Sequence, residues 1–258
     1  MLRRPAPALV LPLLLLAVST HRPVQVGGRT TFTRDTVQAG DAAVDATHLR
    51  PFSLLRQLTL TRGDTVKPFG RQSEQLTRAV LDGRPVLLDV QTFETPNATT
   101  VDSSWMDART VRPLRMRSTN PARIVSLEFQ GQRIRGGTTP SIGAATAIDQ
   151  QLAARPFEWN MFGLVVAALP LRVGYRTTMP VYLDRFGRVV WYAVEVVRDT
   201  SIVRTSGFRS PMWEVVATGD SVAPSARFWV SQHHRLVDQV LVWEPGVSII
   251  YARDLSRQ

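Results

Sequence analysis

Gln75-Leu76-Thr77-Arg78-Ala79-Val80-Leu81-Asp82-Gly83-Arg84-Pro85-Val86-Leu87-Leu88-Asp89-Val90-Gln91-Thr92-Phe93 decides the fold class. Two strand-like runs meet at Asp82-Gly83, the dipeptide best suited to a two-residue hairpin because both positions tolerate positive φ. The same grammar recurs outward in both directions. Leu54 to Thr61 precedes it, and Thr100 to Met106, Val111 to Met116, Ile124 to Phe129 and Gln132 to Arg135 follow at short spacing. Connections this short suit antiparallel pairs, since parallel pairs need crossovers of a dozen residues or more.

The middle of the chain breaks the pattern. Arg135-Gly136-Gly137-Thr138-Thr139-Pro140 reads as loop, and Ala144 to Ala154 is rich in Ala and Gln. A helical interruption near 144–169 is expected, divided by Pro156, because proline disrupts a helix interior. Its second piece, Phe157 to Leu169, is apolar nearly all round, as in a buried helix. Strands then resume: Met179 to Asp184, Val189 to Val197, Ser201 to Thr205, Met212 to Ala217, Ala226 to Ser231, Leu236 to Trp243 and Val247 to Tyr251. Val189 to Val197 is apolar on both faces, which predicts a central strand covered on both sides.

About a dozen antiparallel strands must manage their edges. The expected fold is mainly β: a strongly curved antiparallel sheet or open half-barrel with the apolar helix buried in its concave face. A two-sheet β-sandwich is the alternative.

The first residues read as an address. Arg3 and Arg4 precede the apolar run Ala6 to Val18, and the small residues Ala17 and Ser19 have the spacing of a cleavage site. The run is short of the ~20 residues of a membrane span. Residues 1–19 are expected to be a secretory signal and 20–258 a single β-rich domain, periplasmic or secreted.

Composition narrows the function classes. The 258 residues carry net charge +10 and no cysteine, which excludes a disulfide framework, a thiolate metal site and a Cys nucleophile. With 44% hydrophobic and 20% charged residues the chain is not a disordered polypeptide. Lys67 is the sole lysine among 31 basic residues. The arginines are scattered at alternate strand positions, as on a solvated sheet face, so no nucleic-acid partner is expected. Transient contact with an anionic membrane surface stays open.

Catalytic motifs are absent: there is no G-x-S-x-G elbow, H-E-x-x-H, P-loop or S-x-x-K. No cofactor or metal is expected. His233-His234 falls between two strands, and two ligands alone do not hold zinc. A secreted hydrolase using Asp102, Asp107 or His233 is the least favoured reading. Aromatics give the stronger signal, for they crowd the C-terminal half. Phe157, Trp159, Met161, Phe162, Val165, Trp191, Trp213 and Trp229 are candidates to line an apolar cavity for a lipid or other apolar small molecule. A bulky core under a curved sheet requires the same residues.

Leu169-Pro170-Leu171-Arg172-Val173-Gly174-Tyr175, Trp213-Glu214-Val215, Phe228-Trp229-Val230-Ser231 and Asp107-Ala108-Arg109-Thr110-Val111-Arg112-Pro113 occur in a familiar order. Over roughly residues 100 to 255 the chain resembles a bacterial envelope family of exported β-rich proteins of unknown function. That family is more distantly similar to the open barrels of periplasmic lipoprotein carriers, which hold acyl chains against a helix lid. The chain lacks the lipobox cysteine of lipid-anchored relatives. The resemblance implies an exported, non-catalytic binding or carrier protein. The alternative is a structural or adaptor module binding other envelope proteins.

Overall fold

Fifteen strands of this computed structural model form one sheet, and their order along it is nearly their order along the chain. The structure describes residues 35–203 and 207–254. These described residues belong to one compact unit. The expected signal segment, residues 1–19, lies outside the described residues.

The strands are β1 (Phe52–Arg62), β2 (Thr65–Leu81), β3 (Arg84–Glu94), β4 (Thr99–Asp107), β5 (Pro113–Asn120), β6 (Arg123–Gln130), β7 (Arg133–Pro140), β8 (Thr146–Gln151), β9 (Phe157–Glu158), β10 (Arg176–Leu183), β11 (Arg188–Val203), β12 (Arg209–Thr218), β13 (Ser225–Ser231), β14 (Val237–Glu244) and β15 (Val247–Arg253). One short α-helix, α1 (Phe162–Ala167), joins them among the described residues.

The sheet runs β8-β7-β6-β5-β4-β3-β2-β1-β15-β14-β13-β12-β11-β10-β9. It is open, with β8 and β9 at its edges, and all its pairings are antiparallel except that of β9 with β10. The last strand closes onto the first: Leu58 faces Tyr251 and Leu60 faces Ile249. Asp82-Gly83 turns between β2 and β3 with φ of 49° and 76° at its two residues, the left-handed pair the hairpin reading requires.

Three expectations are corrected. Residues 146–151 form β8 and not a helix. Alanine and glutamine are good helix formers, but the free edge of β7 offers a ladder of backbone partners, and tertiary pairing overrides a weak local preference. Arg133 adds a bidentate ion pair to Asp149 across that ladder, at 2.6 and 2.7 Å. Helix therefore covers only 162–167 of the expected interruption.

Arg135 to Pro140 is strand and not loop. Its two glycines are there because neighbouring backbones pass close by. A Cβ on Gly136, whose φ is +146°, would lie 1.9 Å from the Ser126 carbonyl oxygen. Gly136→Ala is expected to cost about 1–3 kcal/mol through backbone strain, read from the urea midpoint; an unchanged midpoint would show that β6 and β7 relax freely.

β11 is fully buried on one face only. Val190, Tyr192, Val194 and Val196 are buried, whereas Trp191 and Val197 on the other face are each 45% exposed. Val189 on that face packs against a second cluster around Tyr182, but at Trp191 and Val197 the face is surface, not core.

The core follows from the pleat. Val190, Tyr192, Val194 and Val196 of β11 join Val215, Ala217, Phe228 and Val230 of β12 and β13. Onto them pack Phe157, Met161, Phe162, Leu164, Val165 and Val166. Phe162 anchors the group, with ring centroids 5.3 Å from Tyr192 and 5.8 Å from Phe228.

Candidate functional site

Alternation along β2, β3 and β4 aims one set of side chains at the core, and that set changes character along each strand. Leu76, Leu87 and Met106 are apolar and buried. Further along the same face come Gln72 and Glu74 of β2, Asp89 and Gln91 of β3, and Asp102 and Ser104 of β4, also buried. Register sets them side by side: Glu74 opposes Gln91, which opposes Asp102, while Asp89 opposes Ser104.

Arg56 of β1 joins this stripe and is 2% exposed. It forms an ion pair with Glu74. Its Nη1 donates to Gln72 Oε1 at 2.9 Å and its Nη2 to the Val237 carbonyl of β14 at 2.7 Å. Gln72 donates onward to Gln91 Oε1 at 2.9 Å. Gln91 Nε2 donates to Asp89 Oδ2 at 2.7 Å and to the Asn160 carbonyl at 2.8 Å. The chain of bonds thus reaches from β1 to the segment that leads into α1. A buried charge is tolerable only with such partners. Arg56 Nε is buried without one.

Burial sets the acid–base state of the stripe. Desolvation, helped by the nearby Glu74 charge, pushes the Asp89 carboxyl well above the usual carboxylate range. Glu158 of β9 accepts from Ser104 Oγ and from the Asn160 backbone N–H, both at 2.8 Å. Its complete burial outweighs those bonds and lifts its pKa to about 8. Desolvation likewise raises Asp102 to about 6. At neutral pH Glu158 is mostly a neutral acid.

Above this polar floor lies a cavity of about 100 Å³. Arg56, Gln72, Glu74, Gln91 and Asn160 supply its polar side. Phe52, Phe93, Trp159, Phe162, Phe228 and Tyr251 are its aromatic walls. A second cavity of about 260 Å³ shares Trp159, Val242 and Tyr251 with the first.

The sequence-derived candidates divide. Trp159 and Phe162 line the first cavity. Phe157, Met161 and Val165 are fully buried core and line no wall of it. Trp191 points away from Tyr192 and is exposed. Trp213 is half-buried beneath the Arg235 guanidinium, 4.5 Å from its ring centre. Trp229 is half-buried and alternates with the inward Phe228 and Val230.

Arg56, Gln72, Glu74 and Gln91 escaped the sequence reading. Arg71, Ser73 and Gln75 between them are polar too, so β2 shows no alternation there. Asp89 did carry a signal, an acid at the position where the Val86-to-Val90 run is otherwise wholly apolar.

Catalytic geometry is not assembled from the hydrolase candidates. Asp107 accepts from the backbone N–H groups of Arg109 and Thr110 and the Thr110 hydroxyl, so it closes the β4–β5 turn. Its carboxyl is held below the ordinary range by those bonds, against desolvation as the largest opposing influence. His233 and His234 sit in the β13–β14 turn with ring centres 6.4 Å apart. Among the described residues no group of three His, Cys, Asp or Glu could hold a metal ion.

No curated protein matches the chain. A family model does match, over residues 57–244, which takes in the sheet from the second half of β1 to β14, α1 and the buried stripe apart from Arg56. The chain belongs to the family described as protein of unknown function (DUF3108).

Proposed function

We propose that the protein is an exported, non-catalytic binding protein of the bacterial envelope that holds an apolar ligand between α1 and a sheet curled into an open half-barrel. The observation that carries this reading is the aromatic-walled cavity over a buried polar floor. Ligand sites are apolar with a few convergent polar groups, and this one has that composition. The curled sheet is supported by the reach of the segment leading into α1. That segment bonds β3 and β4 through Asn160 and Glu158, and α1 touches β11 and β13 through Phe162. Strands β4 and β11 are eight places apart in the sheet, on the order of 38 Å if flat at ~4.8 Å per strand.

Volume limits the ligand. The first chamber, about 100 Å³, is smaller than an engineered apolar cavity of ~150 Å³ that takes benzene. It suits one ring or the end of a chain, with the 260 Å³ chamber beyond Trp159 taking more.

Gly163 offers a test. A Cβ there would meet Val237 and Phe228 at 3.6 and 3.8 Å, an ordinary contact, inside the first cavity. Gly163→Ala is expected to gain roughly 0.5–1 kcal/mol of stability from helix propensity and to lower retention of an apolar ligand several-fold. Trp191→Ala, on the exposed face, should leave retention unchanged. Native mass spectrometry of the exported chain, before and after denaturing extraction, reads both effects. A bare polypeptide mass with no uptake of added fatty acid would overturn the proposal.

A further inference from the structure

Outside the apolar chambers, two adjoining cavities of about 630 and 390 Å³ open beside the β13–β14 turn. They share Arg50, His233 and His234 in their walls; Arg235 and His48 complete the smaller and Arg253 the larger. Among the described residues no carboxylate lines either one. In a chain with 21 acidic residues, where most ion-paired arginines meet a carboxylate across a strand, that is an unusual surface. Acids that bond wall residues are turned to those partners: Asp45 to His48 at 3.5 Å, Asp238 to Arg253 at 3.3 Å and Asp199 to Gln232 at 3.1 Å.

The groove is built. The turn is fixed by Arg235 N–H donating to the Ser231 carbonyl at 3.0 Å and His234 N–H to Ser231 Oγ at 3.3 Å. Arg235 takes a positive φ of 51°, donates to the Leu169 carbonyl at 3.0 Å and stacks on Trp213. It has no carboxylate partner among the described residues, and neither has Arg50. Both volumes lie in the range of ligand sites, ~300–1,000 Å³.

Phe52 connects this groove to the apolar site. It lines both the 630 Å³ cavity and the 100 Å³ chamber. We infer that the Arg50–His233–Arg235 groove binds the phosphate group of an anionic amphiphile whose apolar part enters past Phe52. Guanidinium forks suit phosphate oxygens bidentately, and imidazoles add further donors. The inference rests on the binding role proposed above and names the ligand's other end.

Calorimetric titration of the full mature chain tests it with three probes: lysophosphatidic acid, the uncharged monoacylglycerol of the same chain length, and inorganic phosphate. Lysophosphatidic acid is expected to bind at least tenfold more tightly than monoacylglycerol. The double variant Arg50→Ser/His233→Ser should bring the two to parity and leave monoacylglycerol binding unchanged. Equal affinities in the parent would overturn the head-group assignment and leave the apolar site standing. Saturable binding of phosphate that the double variant abolishes, with neither lipid bound, would support the anion groove and overturn the apolar-ligand role. Binding of no probe would overturn both. Thermal melts of the double variant separate lost binding from lost folding, since Arg50 and His233 are exposed.

Discussion

Arg56→Met loses about 3–5 kcal/mol of folding stability, the usual cost of removing one partner from a buried ion pair. The reason lies in what stays behind. Glu74 is 6% exposed, and without the guanidinium its carboxylate is buried beside Asp89 with no counter-charge. The Val237 carbonyl and Gln72 lose donors in the same step. Glu74→Leu together with Arg56→Met should recover much of the loss, because an apolar pair leaves no charge stranded. Urea unfolding of the two single variants and the double measures this. Single-variant losses that simply add would show that the pair is not coupled, and would remove the argument for a polar floor under the cavity.

Stability falls as pH rises from about 5 to 8, and Glu158 is a principal cause. Its pKa is about 8 in the folded chain against the ordinary 4.5 of a free glutamate, so the native state holds a proton that the unfolded chain has released. Stability therefore drops with pH between those values and is level above the higher one. The slope is about 1.4 kcal/mol for each pH unit while one proton separates the states. Asp102, at about 6, acts with the same sign over the lower part of the window, and Asp89, raised well above its ordinary value, acts with that sign too.

Glu158→Gln keeps a side chain able to bond Ser104 and the Asn160 amide region but cannot ionise. It is expected to equal the parent near pH 5, exceed it by a few kcal/mol near pH 8, and flatten the upper part of the profile. Urea midpoints across pH 5–9 decide it. A variant with the parent's full slope between pH 6.5 and 8 would show that Glu158 is not the buried acid responsible.

These two effects belong to residues that the sequence reading passed over, and the reason is instructive. The hairpin at Asp82-Gly83, the strand grammar on both sides and the apolar run into α1 are local signals. Each needs only neighbouring residues to be read, and each recurs in the structure. Failures came where the decisive partner was distant. Ala144 to Ala154 has helical composition, yet the edge of β7 made it a strand. Trp191 alternates like a core residue, yet it stands 45% exposed on β11.

The cavity shows the same division. Trp159 and Phe162 were legible because they lie in an apolar segment that had to be buried somewhere. Arg56, Glu74 and Gln91 were not, because a polar residue in a polar stretch gives no sign of facing inward.

The sequence by itself determined the mainly β architecture, the antiparallel neighbour-to-neighbour pairing and a buried apolar segment after Phe157, since alternation, turn chemistry and hydrophobicity act over a few residues. Tertiary structure decided which side chains share a site. Pairing β1 with both β2 and β15 brings Arg56, 181 residues from Val237 along the chain, onto its carbonyl. Burial, and with it the charge state of Glu158 and Asp89, is created by that assembly, because desolvation depends on everything packed around a group and not on its neighbours in sequence.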